Sequence, residues 1–381
     1  MATAPGGRSG EVGKPPSSPL AAAVAAPDPP SYRVSVIVTV LNDPRVGRTL
    51  RSLQQQTLAP LEVLVADGGS KDGTFEMAEQ LAKEDPRIRP CRLPGNIPES
   101  RNQALALVRG DLVAFLDADE VAPPTWLAEL LRPFSDERVG FVGGPTPGMA
   151  GTLKSVGARY YDSYLRRFYD TVAKEHPHAL PMGNSAWRRK VFQEVGQLDS
   201  TLFPRAASED QDMALRTLEA GWKGVYEPRA WVEHDFSDID LPGLLRKQST
   251  YATGGYVLWR RKGTTYEAST GRLFPYVLAP ALVVVGLLLW GIGRHFSSLL
   301  VLGGEALLLL GWWAFLLLFL YLMAQGIAWE RTYPGARFRP LEILRRWATL
   351  WGAFRGLVRY GWSGRKNLPA SPKPPPPSSN T

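Results

Sequence analysis

Two aspartates separated by one alanine, Asp117 and Asp119, come directly after the apolar run Asp111–Leu116 (DLVAFL). Carboxylates at i and i+2 where a strand ends can share one hard cation, with water and substrate oxygens filling its remaining positions. Open α/β sheets take their ligands at the carboxyl ends of their strands, and a cation held there would neutralise a phosphate. Turns also open on Asp, so the pair alone reads more readily as a solvated turn.

A second group, Asp67-Gly-Gly-Ser-Lys-Asp72-Gly-Thr, follows the run Leu61–Ala66 (LEVLVA). Glycines at a strand-to-helix turn let the backbone approach a ligand closely, and Asp67 can accept hydrogen bonds from a base or ribose. The glycines at 68, 69 and 73 do not have the dinucleotide spacing. No Gly-Lys-Ser/Thr follows to make a phosphate loop. A plain Asp-Gly turn reads equally well. The third group, Glu209-Asp210-Gln211-Asp212, precedes an expected helix over Met213–Ala220. Acids there can cap the helix and offset its dipole, or one can take a proton from an attacking hydroxyl. His234, in VEHDF, can ligate a metal, touch a diphosphate or serve the structure.

These groups need elements to hold them. Val34–Leu41 (VSVIVTVL) is apolar at nearly every position, as a strand covered on both faces would be. Helices are expected over Arg48–Gln56, Thr74–Glu84 and Glu99–Val108, with strands at Leu61–Ala66, Ile88–Leu93 and Asp111–Leu116. Strand and helix alternating at this spacing mean an α/β domain with a largely parallel sheet. Residues 1–31 and the Pro-rich 368–381 read as disordered tails.

With one cysteine and four histidines in 381 residues, a disulfide framework or a Cys-clustered zinc site is excluded. The net charge of +8 is confined to one end. Residues 331–381 carry +9, which leaves about −1 for residues 32–330. That balance argues against nucleic acid as a partner and toward membrane lipids.

Leu273–Gly293 and Ala306–Ile327 are uncharged over 21 and 22 residues, each long enough to cross a bilayer core of about 30 Å. They predict a two-helix transmembrane hairpin. Basic flanks on both sides orient it with the catalytic domain and both termini cytoplasmic, as in a multi-pass protein of the cell membrane. Residues 341–362 then read as a basic, Trp-bearing amphipathic helix at the interface, or as a helix packed on the preceding domain.

In order and spacing, VSVIVTVLND, LEVLVADGGSKDGT, SRNQALALVRGDLVAFLDAD, MGNSAWRRKVFQEVGQLD and SEDQDMALRTLEAGW resemble a family 2 glycosyltransferase with a GT-A fold. The resemblance runs from Tyr32 to about Gln248 and places the domain within residues 32–262. With the apolar segments, it looks like the polysaccharide and lipid-linked glycan branch. It implies donor-nucleotide contacts at Asn42, Asp67, Asp72, Arg101 and Asp117, and a Mg2+ or Mn2+ on Asp119 with Asp117; His234 is a further metal-ligand candidate outside the resemblance, with the structural reading slightly ahead. It also implies Asp210 as base, and Gly183, Asn184 and Glu209 on the acceptor side.

The expected reaction is inverting, metal-dependent transfer from a nucleotide-sugar, UDP-linked by first choice, to a lipid-linked or saccharide acceptor. Processive members carry Gln-x-x-Arg-Trp where this chain has Gln248-Ser-Thr-Tyr251-Ala252, so transfer is expected to be non-processive. The alternatives are a polyprenyl-phosphate sugar synthase of the same fold, a phosphatase using Asp-x-Asp as nucleophile, and a non-catalytic membrane-anchored scaffold. Oligomeric state is not legible in these residues.

Overall fold

The computed structural model describes residues 32–205, 207–262 and 339–361, with scattered helical positions between 285 and 320. A seven-stranded sheet in the order β3-β2-β1-β4-β7-β6-β8 forms its centre. β1 (Val34–Val40), β2 (Glu62–Asp67), β3 (Ile88–Arg92) and β4 (Leu112–Asp117) run parallel. β7 (Ser185–Arg188) is antiparallel to both β4 and β6 (Val139–Gly143), and β6 pairs in parallel with β8 (Lys223–Tyr226).

The near-continuous apolar runs of β1, β2 and β4 follow from cover on both faces. On one face Val36, Val38, Val65 and Ala114 join Leu50, Trp126 and Phe134; on the other Ile37, Leu64 and Phe115 join Ala104, Trp187 and Met213. The expected strands and helices of residues 34–117 are present, with ends shifted by one or two residues. Helix α1 (Val46–Gln54) lies after β1, α2 (Thr74–Glu84) after β2 and α3 (Ile97–Leu107) after β3. α3 starts in a capping box, in which Asn96 accepts from the Glu99 N–H and Glu99 accepts from the Asn96 N–H.

Short α4 (Trp126–Leu131) precedes β6, and α5 (Val156–Thr171) and α6 (Arg189–Val195) flank β7 in sequence. α7 runs from Glu209 to Glu219, so Glu209–Asp212 forms its first turn rather than preceding it. A two-stranded antiparallel sheet, β5 (Glu120–Val121) with β9 (Glu233–His234), sits beyond β4.

α8 (Leu241–Lys262) and α9 (Arg339–Tyr360) lie against one another and run in the same direction. Gly352 meets Ser249 and Gly356 meets Tyr256; further along, Tyr256 donates to the Gly361 carbonyl at 3.0 Å and Arg260 donates to the Tyr360 carbonyl. A Cβ on Gly352 would come within 2.2 Å of the Ser249 carbonyl oxygen, so the absent side chain sets the close approach. At the other end Arg345 is buried, with Nε 3.0 Å from Glu342 Oε2 and its guanidinium 4.6 Å above the Tyr164 ring. Glu342 also accepts from Tyr160. α9 is thus packed on the domain through one face, and Arg345 faces protein rather than a headgroup. Its opposite face exposes Leu344, Trp347, Trp351, Phe354 and Val358.

Among the described residues no helix is long and apolar enough to cross a membrane. This overturns the reading of a multi-pass membrane protein. Uncharged length does not by itself specify a continuous helix, and Pro275 and Pro280 each lack an N–H that a helix interior uses. Most of 273–293 and part of 306–327 lie outside the described residues, as do residues 1–31 and 368–381.

Candidate active site

Sheet register explains how the acids meet. β7 pairs antiparallel with β4, with Ser185 opposite Phe115, and continuing that register by two residues puts Gly183 beside Asp117. A Cβ at 183 would lie 2.3 Å from Asp117 Oδ2, so only glycine leaves the carboxylate its space. In the small sheet Glu120 pairs with His234, which carries His234 Nε2 to 3.0 Å from Asp119 Oδ2. Arg45, just before α1, lies 3.6 Å from the same oxygen. Burial opposes ionisation of Asp119, but His234 and then Arg45 outweigh it and hold the carboxyl down at about 2.

Glu120 is buried and accepts the Asp117 N–H at 3.0 Å. Burial first, then the charges of Asp117 and Asp119, push its carboxyl well above the usual range.

The expected nucleotide loops are tied together. Asp67 is buried, and its Oδ1 accepts the N–H groups of Gly69 and Ser70 at 2.9 Å each. Its Oδ2 is buried without a hydrogen-bond partner, a costly state that a bound donor group would relieve. Asn42, at φ 49°, donates its N–H to Ser70 Oγ and accepts the Lys71 N–H, both at 2.8 Å. Asp72 does not join this site. It is exposed and accepts from Thr74 N–H at 3.1 Å and from Thr74 Oγ1 at 2.6 Å, where the chain turns into α2.

Arg101 joins the two halves of the cleft. It is buried on α3, with Nη2 2.8 Å from Asp117 Oδ1 and Nη1 3.3 Å from Glu209 Oε1. The expected nucleotide contact is in this structure a carboxylate bridge. Asn102, next to it, exchanges hydrogen bonds with the backbone of Leu198 at 2.8 and 3.0 Å.

Ser208, in the left-handed region at φ 72°, turns the chain into α7 and presents Glu209 and Asp210 in the first turn. Glu209 is buried against Arg101 and the Ala207 N–H, so it faces protein more than acceptor. Burial and the Asp210 charge push its carboxyl up to about 8, against the pull of Arg101. Burial also raises Asp210, which lines the cleft.

Asn184 is not an acceptor residue in this arrangement. Wholly buried, it accepts from Trp126 Nε1 at 2.8 Å and donates to the Ala230 and Pro145 carbonyls at 2.8 and 3.0 Å. Register turns its amide inward while Gly183 opens on the cleft. One wall of the cleft is aromatic, with Tyr161, Tyr164 and Phe168 from α5 and Tyr251 from α8. Sequence reasoning missed these tyrosines, together with Arg45, Glu120 and Lys247. Glu120, adjacent to Asp119, and Tyr251, at the position of the processive motif's arginine, carried a signal in sequence.

Among the described residues no group of three or more His, Cys, Asp or Glu side chains is placed to hold a metal. An ionised Asp119 with His234 beside it fits a hard cation that draws its other ligands from diphosphate and water.

Residues 35–196 match the family described as Glycosyl transferase family 2. The pre-mycofactocin glycosyltransferase of Mycobacterium tuberculosis is 32% identical over 227 residues, which is 57% of this chain and 46% of that protein. The O-antigen biosynthesis protein RfbC of Myxococcus xanthus is 30% identical over 239 residues, 58% of this chain and 18% of its own length. The chain therefore spans less than half the length of these curated relatives. Mannosyltransferase PcManGT from Pyrobaculum calidifontis, solved in complex with GDP-Man and Mn2+, aligns at a TM-score of 0.57 and 19% identity. The alignment covers 88% of this chain and 90% of that one, a likeness of fold.

Proposed function

We propose that this chain, which carries a family 2 glycosyltransferase domain on a GT-A fold, moves one sugar from a nucleotide-diphosphate donor to a glycan hydroxyl with inversion. The observation that carries the reading is Arg101. It ties Asp117, at the end of β4, to Glu209, next to Asp210, and so supports a reading in which the acids after β4 and those that open α7 act on one cleft.

Asp67 Oδ2 is the acceptor for a donor N–H or O–H, since it is buried and unpaired. Asp119 and His234 would hold a divalent ion, Mn2+ or Mg2+, which when bound supplies positive charge to the donor's diphosphate. Asp210 takes the proton of the attacking hydroxyl. The acceptor oxygen bonds to the anomeric carbon as that carbon's bond to the β-phosphate oxygen breaks. The electron pair leaves with the phosphate, so no covalent enzyme intermediate is needed. Tyr161, Tyr164 and Tyr251 line the part of the cleft where a sugar ring would lie.

Non-processive transfer is supported by Tyr251-Ala252 standing where processive members have Arg-Trp. A saccharide acceptor, lipid-linked in the finer form of this proposal, is supported by the O-antigen role of RfbC. UDP is proposed as the nucleotide.

Purified protein with a panel of nucleotide-sugars and Mn2+ or Mg2+ should release nucleotide diphosphate, dependent on metal and acceptor. The Asp119→Ala variant should fold, yet lose metal-dependent nucleotide binding and transfer. Full activity in that variant, or release of inorganic phosphate from simple esters instead, overturns the proposal.

A further inference from the structure

We infer that the ammonium group of Lys247 is the protein's own counter-charge for the β-phosphate of the donor, a donor-binding residue on α8 outside the Asp-x-Asp region. The inference rests on the glycosyltransferase reading and deepens it.

The other cations of the cleft are already committed. Arg101 is 2.8 Å from Asp117 and 3.3 Å from Glu209. Arg45 is 2.7 Å from Asp43 and 3.4 Å from Asp238. Lys247 makes no ion pair within 4.0 Å among the described residues. Its Nζ lies 5.1 Å from the centre of the Tyr161 ring and 5.9 Å from that of Tyr251. Two ring faces steady a cation without neutralising it. Lys247 and Tyr251 are one helical turn apart, so both project from the same face of α8 into the cleft that Asp117 and Asp210 line.

Its charge is secure there. Burial opposes the ammonium, but Tyr161, Asp119, Asp238 and Asp117 favour it and the group stays protonated. A protonated, half-buried amine without a close partner is an unfilled interaction. A diphosphate supplies what is missing, with oxygens to accept the ammonium's hydrogens and a charge that grows as the bond to the anomeric carbon breaks. Lys247 donates no proton in this step. It offsets the leaving group's negative charge while the proton of the acceptor hydroxyl goes to Asp210.

Calorimetric titration of the full chain with Mn2+ separates the possibilities, using UDP and GDP against UMP and GMP. Lys247→Met should weaken the preferred diphosphate at least about tenfold, the size of one hydrogen bond to a charged group, and change the monophosphate less than about twofold. Lys247→Arg should recover most of the loss. Equal weakening of both nucleotides, or none, overturns the assignment. If Lys247→Met has no melting transition, Lys247→Gln is read in its place; unfolding of both makes Lys247 structural and also overturns it. Failure of the unmodified chain to bind any of these diphosphates would instead overturn the proposed function, so the two failures are distinguishable.

Discussion

Arg101 divides its guanidinium between Asp117 and Glu209. Next to Glu209, burial holds Asp210 above the ordinary aspartate range. Transfer should therefore fail at a higher pH than an exposed aspartate would dictate, and the acid limb of kcat/KM against pH reads this directly. Asp210→Asn should keep diphosphate affinity within about twofold and lose three or more orders of magnitude in kcat. A collapse of donor binding with kcat preserved would mean that Asp210 is not the base. Glu209 bears on stability as well. Its folded pKa of about 8 is above its unfolded value, so folding takes up a proton. That contribution is complete below about pH 4.5 and is lost as pH rises through 8. Glu209→Gln removes it, so the variant's melting temperature relative to the parent should climb between those limits. A constant difference across the range would show that Glu209 does not titrate there.

The order of strands and helices over residues 34–117 was legible because its chemistry is local: β-branched runs, glycine turns and an acid after each of two strands. Asp67, Asp117 and Asp119 therefore stood out in sequence, and Asp210 stood out by its place in an acidic run at a helix start. What was not legible depends on pairing. Asn184 sits one residue from Gly183, yet the antiparallel register of β7 turns its amide into the core while 183 opens on the cleft. Asp72, in the same turn as Asp67, is taken up by Thr74 at the start of α2. The cleft tyrosines come from α5 and α8, whose spacing in sequence gives no sign that they meet. Asn184→Ala should cost about 3 kcal/mol in chemical denaturation, because it strands the Trp126 N–H and two buried carbonyls. Wild-type stability with a raised acceptor KM would return Asn184 to the acceptor side. Gly183→Ala should fold and bind nucleotide diphosphate poorly, since its Cβ would occupy the space of Asp117.

Over the whole molecule, the sheet and its acids form one body, and α9 closes onto it from far along the chain. Because α8 and α9 run the same way, the polypeptide leaves one end of the pair and must re-enter at the other. A helix of 22 residues sets that return at about 33 Å. α9 is held by side-chain and backbone contacts, among them Tyr160 with Glu342, Thr253 with the Gly352 carbonyl, and Tyr256 with the Gly361 carbonyl. The covalent link therefore acts as a tether that keeps the local concentration of α9 high. A protease site engineered between residues 263 and 284, once cut, should give two fragments that co-elute at high protein concentration and separate on dilution. A synthetic peptide of residues 339–361 should then re-form the complex in trans, and Gly352→Val in that peptide should prevent it. The body that carries the sheet would thus be a receptor for α9, a helix of its own chain.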